Sequence, residues 1–203
     1  RCRSCARRRH REPVPHATGA DLVLSSRGRS RYREVEVGAS HAMGETLQVN
    51  GTYTRSSAVG DLNAYASFFG LLRGPVVPVN EHGSLDGDVP HRIVTWVRYA
   101  PTPRWLVTPF IEFRSGTPYS SRDEFLDAVP ALGRPRFPSV TLVDLRIDRR
   151  VRILRWEPWI GVRVYNALDS FSPSDVQRNL GSADHGEFFN ARPRQIRLQL
   201  RFN

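Results

Sequence analysis

The chain has no lysine, two cysteines and one methionine among its 203 residues. Its 30 basic side chains are therefore all arginines, and against 20 acidic residues they give a formal charge of +10. No segment approaches the roughly 18 consecutive apolar residues that a membrane-spanning helix needs, which excludes a helical membrane protein. A membrane-spanning β-strand is not excluded, because only every second side chain of such a strand faces lipid.

The scarcity of cysteine excludes a disulfide framework and leaves one CxxC pair, Cys2 and Cys5, to interpret. With His10 and His16 nearby, this pair has the ligand types of a zinc site, and a CxxC pair is also a redox motif. However, the run RCRSCARRRHRE is strongly basic, lacks periodicity and contains no second CxxC pair. We therefore interpret residues 1–21 as a basic, disordered tail, and we predict no metal or cofactor site.

The sequence also shows no secretory signal peptide, since no apolar segment follows the mainly basic segment from Arg1 to Glu12. The first residue is not methionine either. From these two observations we expect the chain to be cut from a longer protein, with the export signal upstream. Residues 22–203 are then predicted to form one β-rich unit.

Apolar residues recur with a period of two, which is typical of β-strands. From Gln195 to Phe202, four apolar side chains alternate with two glutamines and two arginines. A helix would mix the two sets around its circumference, so this segment is predicted to be a strand. Similar alternation predicts strands at Glu34–Ser40, Leu47–Tyr53, Trp105–Arg114, Thr141–Asp148 and Trp156–Asn166. It also predicts one at His91–Tyr99, whose faces the pattern does not assign, and a short one at Leu22–Ser25.

The connections between these strands alternate in length. Tight turns are predicted at Ala42–Glu45, Pro101–Arg104 and Arg152–Glu157, and long loops at Ser56–Pro90, Gly116–Ser139 and Leu168–Arg194. A soluble β-sandwich has no reason to place every long loop at one end. Outer-membrane barrels do so, with short periplasmic turns and long extracellular loops.

Alternation alone does not distinguish a membrane barrel from a soluble sandwich. Besides loop length, two features favour the barrel. Acidic and basic residues mix on the polar face, as in a hydrated lumen. Aromatic residues lie near strand ends, where a membrane interface would place them; they are Trp105, Tyr119, Trp156, Trp159, Tyr165 and Phe202. The predicted fold is all-β, an antiparallel up-and-down meander of about seven to eight strands within a transmembrane β-barrel.

Four segments carry a resemblance to a known family. They are YTRSSAVGDLNAYASFFGLLRGPVVPVNEHGSLDGDVPHRIVTW (Tyr53–Trp96), FRSGTPYS (Phe113–Ser120), VRVYNALDSFSPSDVQ (Val162–Gln177) and FFNARPRQIRLQLRFN (Phe188–Asn203). From about Ser26 onward, the chain resembles the C-terminal barrel strands of TonB-dependent receptors, notably those with a carboxypeptidase-regulatory-like N-terminal domain. It departs from the family in ending on Asn203, where the terminal residue is commonly aromatic.

The resemblance implies a location in the outer membrane and a role in substrate uptake through a large, plugged barrel. The implied partners are outer-membrane lipid, the remaining strands and plug, the TonB energy-coupling complex, and a small-molecule or peptide substrate. A piece of such a barrel is not expected to transport anything alone. Two alternatives are a small self-contained outer-membrane barrel and a basic nucleic-acid-binding β-protein. The second is disfavoured, because the strand arginines mix with acids and form no single stripe.

No catalytic site is predicted, so the chain is not expected to be an enzyme. Ser120, Ser121, Asp123 and Glu124 cluster without a nearby histidine or a nucleophile elbow. The acidic segments GDLN and LDGDVP lack the full pattern of a calcium loop. Four histidines, His41, His82, His91 and His185, show no ligand spacing. Substrate contacts are unassigned, although Phe68, Phe69 and Asn80 lie in the first long loop.

Overall fold

The computed structural model describes residues 28–61, 69–71, 74–76, 82–122 and 134–202. Within these ranges the structure is all-β and contains no helix, hence none that is long and apolar enough to cross a membrane. The long strands are β1 (Ser30–Met43), β2 (Leu47–Asp61), β6 (His91–Thr102), β7 (Trp105–Arg114), β8 (Val140–Arg150), β9 (Trp159–Tyr165) and β12 (Gln195–Arg201). The short ones are β3 (Phe69–Leu71), β4 (Gly74–Val76), β5 (His82–Ser84), β10 (Asp175–Val176) and β11 (Phe188–Phe189).

The long strands form one antiparallel sheet in the order β1-β2-β6-β7-β8-β9-β12, and β5 also pairs with β2. Two separate hairpins, β3–β4 and β10–β11, lie within the long connections. The predicted antiparallel meander of seven to eight strands is therefore confirmed. In the described part of the chain, β1 and β12 do not pair with each other, so the sheet is open and does not close into a barrel.

The strand boundaries agree closely with the alternation in the sequence. Strand β7 has the predicted bounds, and short turns join β1 to β2, β6 to β7 and β8 to β9. Gly44, with φ of +55°, lies in the β1–β2 turn, where glycine adopts a left-handed conformation without strain. Strand β2 continues past the predicted loop start at Ser56, because its last residues pair with β5. The predicted tail and the strand at Leu22–Ser25 lie outside the described residues.

The pairing register places most of the alternating apolar residues of the seven long strands on one face, although Trp96 and Phe110, which pair with each other, lie on the reverse. From the edge strand β12 inward, Leu198 is opposite Val162, Val162 is opposite Ile147, and Ile147 is opposite Val107. The register also assigns the faces of β6. Ile93 pairs with Tyr53 on one side and Phe113 on the other, so Ile93 lies on the apolar face. We call this face the apolar face and its reverse the polar face.

Burial is the reverse of that expected for a soluble sheet. On the apolar face, Leu198 is 81% exposed and Ile196 is 66% exposed. By contrast, the buried strand residues Ala58, Val140 and Asp148 belong to the polar face. Among the described residues, the polar face is therefore the better protected side.

Only part of the expected aromatic girdle lies on the apolar face. Trp105 lies there, and Trp156 packs edge-on against Phe202, with ring centroids 6.1 Å apart. Trp159 and Tyr165 lie on the polar face, where the guanidinium groups of Arg201 and Arg197 stack over their rings. Tyr119 is buried at 6% exposure, so its predicted place in a membrane girdle is wrong.

Asp148 is the most buried polar residue of the sheet, with 3% of its surface exposed. The Arg146 Nε atom donates a hydrogen bond to Asp148 Oδ2 at 2.6 Å. Directly opposite Asp148 on the next strand is Gly161. A Cβ atom on Gly161 would overlap Asp148 Oδ1, so the absence of a side chain there makes room for the ion pair.

Replacing Gly161 by alanine should therefore lower the free energy of unfolding by about 1–3 kcal/mol, because the Arg146–Asp148 pair must shift. The matched control is Gly38→Ala on the polar face of β1, where the nearest atoms are 3.9 Å from an added Cβ. Urea unfolding, followed by tryptophan fluorescence, measures both changes. Equal unfolding midpoints for the two variants would show that the Arg146–Asp148 pair does not need the space that Gly161 leaves.

Candidate functional site

The three long connections lie at the same end of the sheet, because consecutive strands are antiparallel. Backbone hydrogen bonds tie the second connection to the third. Arg122 N donates to Arg178 O at 2.8 Å, and Leu180 N donates to Arg122 O at 2.8 Å. We call residues 82–90, 115–122, 134–139 and 166–194 the loop layer. It is the best candidate for a binding region, since binding residues concentrate on loops held by a rigid scaffold.

An ion pair between Asp88 and Arg136 connects the first two long connections. Asp88 is 4% exposed, and its Oδ1 atom accepts a hydrogen bond from Ala58 N at 2.6 Å. Its Oδ2 atom pairs with Arg136 Nη2. Arg136 Nη1 also donates to the carbonyl oxygens of Asp88 and Gly116, each at 3.0 Å. One guanidinium group thus holds both loops against the end of β2.

A second arginine repeats this link. Arg134 Nη2 donates to Asp86 Oδ1 at 2.6 Å, and Arg134 Nη1 donates to the Ser84 carbonyl oxygen. The Asp86 side chain is 83% exposed, so this pair contributes less than the buried one. Together the two arginines engage both aspartates of the LDGDVP segment, which was not expected to bind calcium.

Aromatic packing connects the second and third connections. The ring of Tyr119 meets Phe137 and Phe188 edge-on, with centroid separations of 5.4 Å and 6.1 Å. Phe137 and Phe188 themselves lie 5.4 Å apart. Edge-to-face aromatic pairs add about 0.5–1.5 kcal/mol each beyond the burial of their area. This cluster forms an apolar centre for the loop layer.

Asn166 fixes the start of the third connection, immediately after β9. It is 5% exposed, has φ of +50°, and donates its backbone N–H to Asp144 Oδ1 at 2.9 Å. Its side-chain amide donates to the carbonyl oxygens of Ser170 and Arg192, both at 3.0 Å. Asparagine tolerates this left-handed conformation better than most residues. The residue is therefore structural, with its side chain fully used.

Asp175 has bonding partners that favour its charged form. The Asn190 amide donates to the Asp175 carboxylate at 2.6 Å, and the Ser174 hydroxyl donates at 3.1 Å. These bonds, that from Asn190 first, hold the pKa of Asp175 below its ordinary value. The carboxylate is therefore charged at neutral pH, and its stabilising bonds are lost only as the pH falls through the lowered pKa.

A cavity of about 260 Å³ opens between the end of β7, the start of β8 and the third connection. Its shape depends on a close approach of two backbone segments, since a Cβ atom on Gly116 would overlap the carbonyl oxygen of Phe137. We call it the Arg114 cavity and take it as the candidate site. Its lining residues are Arg114, Ser115, Gly116, Thr117, Phe137, Pro138, Val140, Pro173 and Ser174.

Three arginines form a column across the polar face further along the strands. Arg146 is directly opposite Arg163, and Arg163 is directly opposite Arg197. Like charges directly opposite each other are destabilising, and among the described residues only Arg146 of these three has a carboxylate partner, Asp148. The Nε atom of Arg163 is buried without a hydrogen-bond partner in the described structure. This part of the polar face therefore favours anions.

The structure brings one pair of the sequence candidates together. Ser121 is buried, and its Oγ lies 3.1 Å from His185 Nε2. The two residues are 64 positions apart, which is why the sequence offered no histidine near the serine cluster. No carboxylate orients His185 among the residues that the structure describes, so a catalytic triad is not assembled there. Asp123 and Glu124 lie outside those residues, and Ser120 lies in the loop layer.

The other histidines lie apart from one another. His82 lies 3.2 Å from Asp61 of the GDLN segment, and Tyr53 Oη lies 2.8 Å from the Nδ1 atom of His91. His41 is on the apolar face of β1. In the described ranges, no group of three potential ligands could hold a metal ion. The remaining candidates lie outside those ranges, namely Cys2, Cys5, His10, His16, Phe68 and Asn80, while Phe69 begins β3.

Replacing Arg136 by glutamine should lower the free energy of unfolding by about 3 kcal/mol, because it leaves the Asp88 carboxylate buried without its cation. The matched control is Arg150→Gln, which removes an exposed pair with Glu157 at 2.8 Å and should cost less than about 1 kcal/mol. Urea unfolding midpoints compare the two variants. A loss no larger for Arg136→Gln than for Arg150→Gln would contradict its role as the main link of the loop layer.

Comparison with known proteins does not assign the chain to a family. No protein-family model, no curated protein and no solved structure matches it. The resemblance to TonB-dependent receptors therefore stays a prediction from the sequence. Function has to be argued from the two faces of the sheet and from the loop layer.

Proposed function

We propose that this chain forms C-terminal strands of an outer-membrane β-barrel belonging to a TonB-dependent uptake receptor. The observation that carries the proposal is the arrangement of the two faces. Seven strands share one mainly apolar face that is partly to largely exposed, whereas buried polar groups such as Asp148 lie on the reverse. A soluble sheet buries its apolar face against another layer. The lipid bilayer is the environment that suits the face observed here.

The dimensions of the apolar face support lipid as its neighbour. On β1, the apolar side chains of this face lie between Val35 and Met43, interrupted only by His41, over about 30 Å at roughly 3.3 Å for each residue of the segment. Strands tilted by about 40° would project this length to a little over 20 Å, close to the ~25 Å apolar band of outer-membrane barrels. Arg31 and Arg33 share the same face but lie beyond one end of this segment, where headgroups and water would meet them.

Aromatic residues support the same orientation. Tyr99, Trp105, Trp156 and Phe202 gather near the short-turn end, and each is more than a third exposed. The Arg149 guanidinium lies 5.0 Å from the ring centroid of Trp105. Aromatic rings and arginine side chains at one level are typical of a membrane interface. In the proposed orientation the short turns are periplasmic and the loop layer is extracellular.

The open sheet supports a role as part of a larger barrel. Every residue of β1 and of β12 is exposed, and each strand has an edge without a partner in the described structure. Long unpaired edges promote aggregation, so additional strands are needed to cover them. In a TonB-dependent receptor, the remaining strands and the plug would supply that cover, and the TonB complex would supply energy. We expect the chain to bind substrate in the loop layer but not to transport it alone.

A pair of substitutions on adjacent residues of β12 tests the proposal. Leu198→Arg places a charge in the middle of the apolar face and should cost about 2–4 kcal/mol in a bilayer. Gln199→Arg adds the same charge to the polar face and should be tolerated. In water, replacing the 81% exposed Leu198 should change stability by less than about 0.5 kcal/mol. Each variant is expressed with an export signal, and outer-membrane recovery and heat-modifiable migration are measured.

Loss of the membrane form for Leu198→Arg alone is the expected result. Equal recovery of both variants in the water-soluble fraction would contradict the membrane assignment. A heat-modifiable band from the 203-residue chain by itself would favour a small self-contained barrel over a receptor part.

A further inference from the structure

We propose that the Arg114 cavity binds a small organic anion, a carboxylate attached to a short apolar body. This inference rests on the proposed function, because it names the substrate class that an extracellular site of an uptake receptor would take. The argument uses the charge, the hydrogen-bonding groups and the size of the cavity. None of these features depends on the bilayer.

The first argument is an uncompensated positive charge. Arg114 of β7 is directly opposite Arg92 of β6 on the polar face, and Glu112, two residues before Arg114, is the carboxylate of β7 on that face. That carboxylate accepts a hydrogen bond from Arg92 Nε at 2.8 Å. Arg114 is half-buried and has neither an ion pair nor a hydrogen bond with the described residues. A partly desolvated cation without a partner is unfavourable, and a bound anion would relieve that cost.

The second argument concerns the other polar groups in the lining. The hydroxyls of Ser115 and Thr117 make no hydrogen bond in the described structure and are available as donors. The lining contains no carboxylate, and the nearest acidic neighbour in sequence, Asp175, is engaged by Asn190 and Ser174. The lining thus presents a guanidinium group and free hydroxyls. A guanidinium group binds a carboxylate through two parallel hydrogen bonds, which makes this pair specific as well as strong.

The third argument concerns the apolar wall and the available volume. The lining also includes four apolar residues that carry no donor side chain, namely Phe137, Pro138, Val140 and Pro173. A bare inorganic anion would leave this wall uncovered, whereas an organic anion would place its apolar body against it. The volume of about 260 Å³ is just below the usual range for ligand pockets, roughly 300–1,000 Å³. The ligand is therefore small, on the scale of benzoate.

Calorimetric titration tests the proposal with benzoate, its neutral analogue benzamide, and inorganic phosphate as probes. The protein is purified in detergent as cells produce it, and circular dichroism verifies its β-structure. Benzoate should bind at least about 10-fold more tightly than benzamide, and more tightly than phosphate. This comparison needs no variant, so it stays decisive even where a substitution prevents folding.

Substitutions locate the site. Arg114→Gln should weaken benzoate binding by about 10- to 100-fold, as expected for removal of a charged hydrogen-bonding partner. Arg98→Gln is the matched control, because Arg98 lies on the same face near the opposite end and donates to the Glu45 carbonyl oxygen at 3.0 Å. It makes the same charge change and should leave benzoate binding unaltered. Equal weakening by both variants would assign the binding to overall charge and overturn the proposal.

Two further results would also overturn it, namely equal affinities for benzoate and benzamide, or no benzoate binding at millimolar concentration. Fractionation of the same cells separates this inference from the proposed function. A protein that is in the outer membrane but does not bind benzoate refutes the ligand class alone. A protein that binds benzoate through Arg114 but stays in the water-soluble fraction refutes the membrane assignment and keeps the site.

Discussion

The pairing register is the constraint on which the rest of this structure depends. Side chains alternate between the faces of a strand, so shifting any strand by one residue would reverse its contribution to both faces. Here Leu198, Val162 and Ile147 are opposite one another on three neighbouring strands, and the same alignment continues across the sheet. The register shifts by one residue only at the end of the β6–β7 pairing, between Tyr99 and Thr102, so the central part of one face is mainly apolar and the reverse carries most of the charges.

The loop layer depends on a second kind of interaction, made by groups that have little access to water. The buried Asp88 carboxylate holds the Arg136 guanidinium group, which in turn engages the carbonyl oxygen of Gly116. The Tyr119, Phe137 and Phe188 rings add apolar contact between the second and third connections. These links hold the walls of the Arg114 cavity in place before any ligand arrives, which lowers the entropy cost of binding.

The proposed membrane role and the proposed ligand use opposite faces of the same strands. Strand β7 shows the division most clearly. Ile111 and Phe113 belong to the apolar face proposed to meet lipid, while Glu112 and Arg114 belong to the polar face. Arg114 is the last residue of β7, so it lies where the polar face meets the loop layer. The rigid sheet can therefore position a binding group at the edge of the loops without disturbing the lipid-facing side.

The sequence by itself determined the strands, their order of short and long connections, and most of the two faces. These properties are local, since the alternation in Gln195–Phe202 is visible in eight consecutive residues. Strand β6 was the exception, because the polar Thr95 lies on the apolar face and the apolar Trp96 lies on the polar face. Only the pairing of β6 with β2 and β7 assigned its two faces.

The side-chain links were decided by tertiary structure alone. Asp88 meets Arg136 across 48 residues, and Ser121 meets His185 across 64. Glu112 bonds to Arg92, and Arg114 has no ion-pair partner among the residues that the structure describes. Contacts of this kind depend on how the long loops fold back over the sheet, which no short-range pattern encodes.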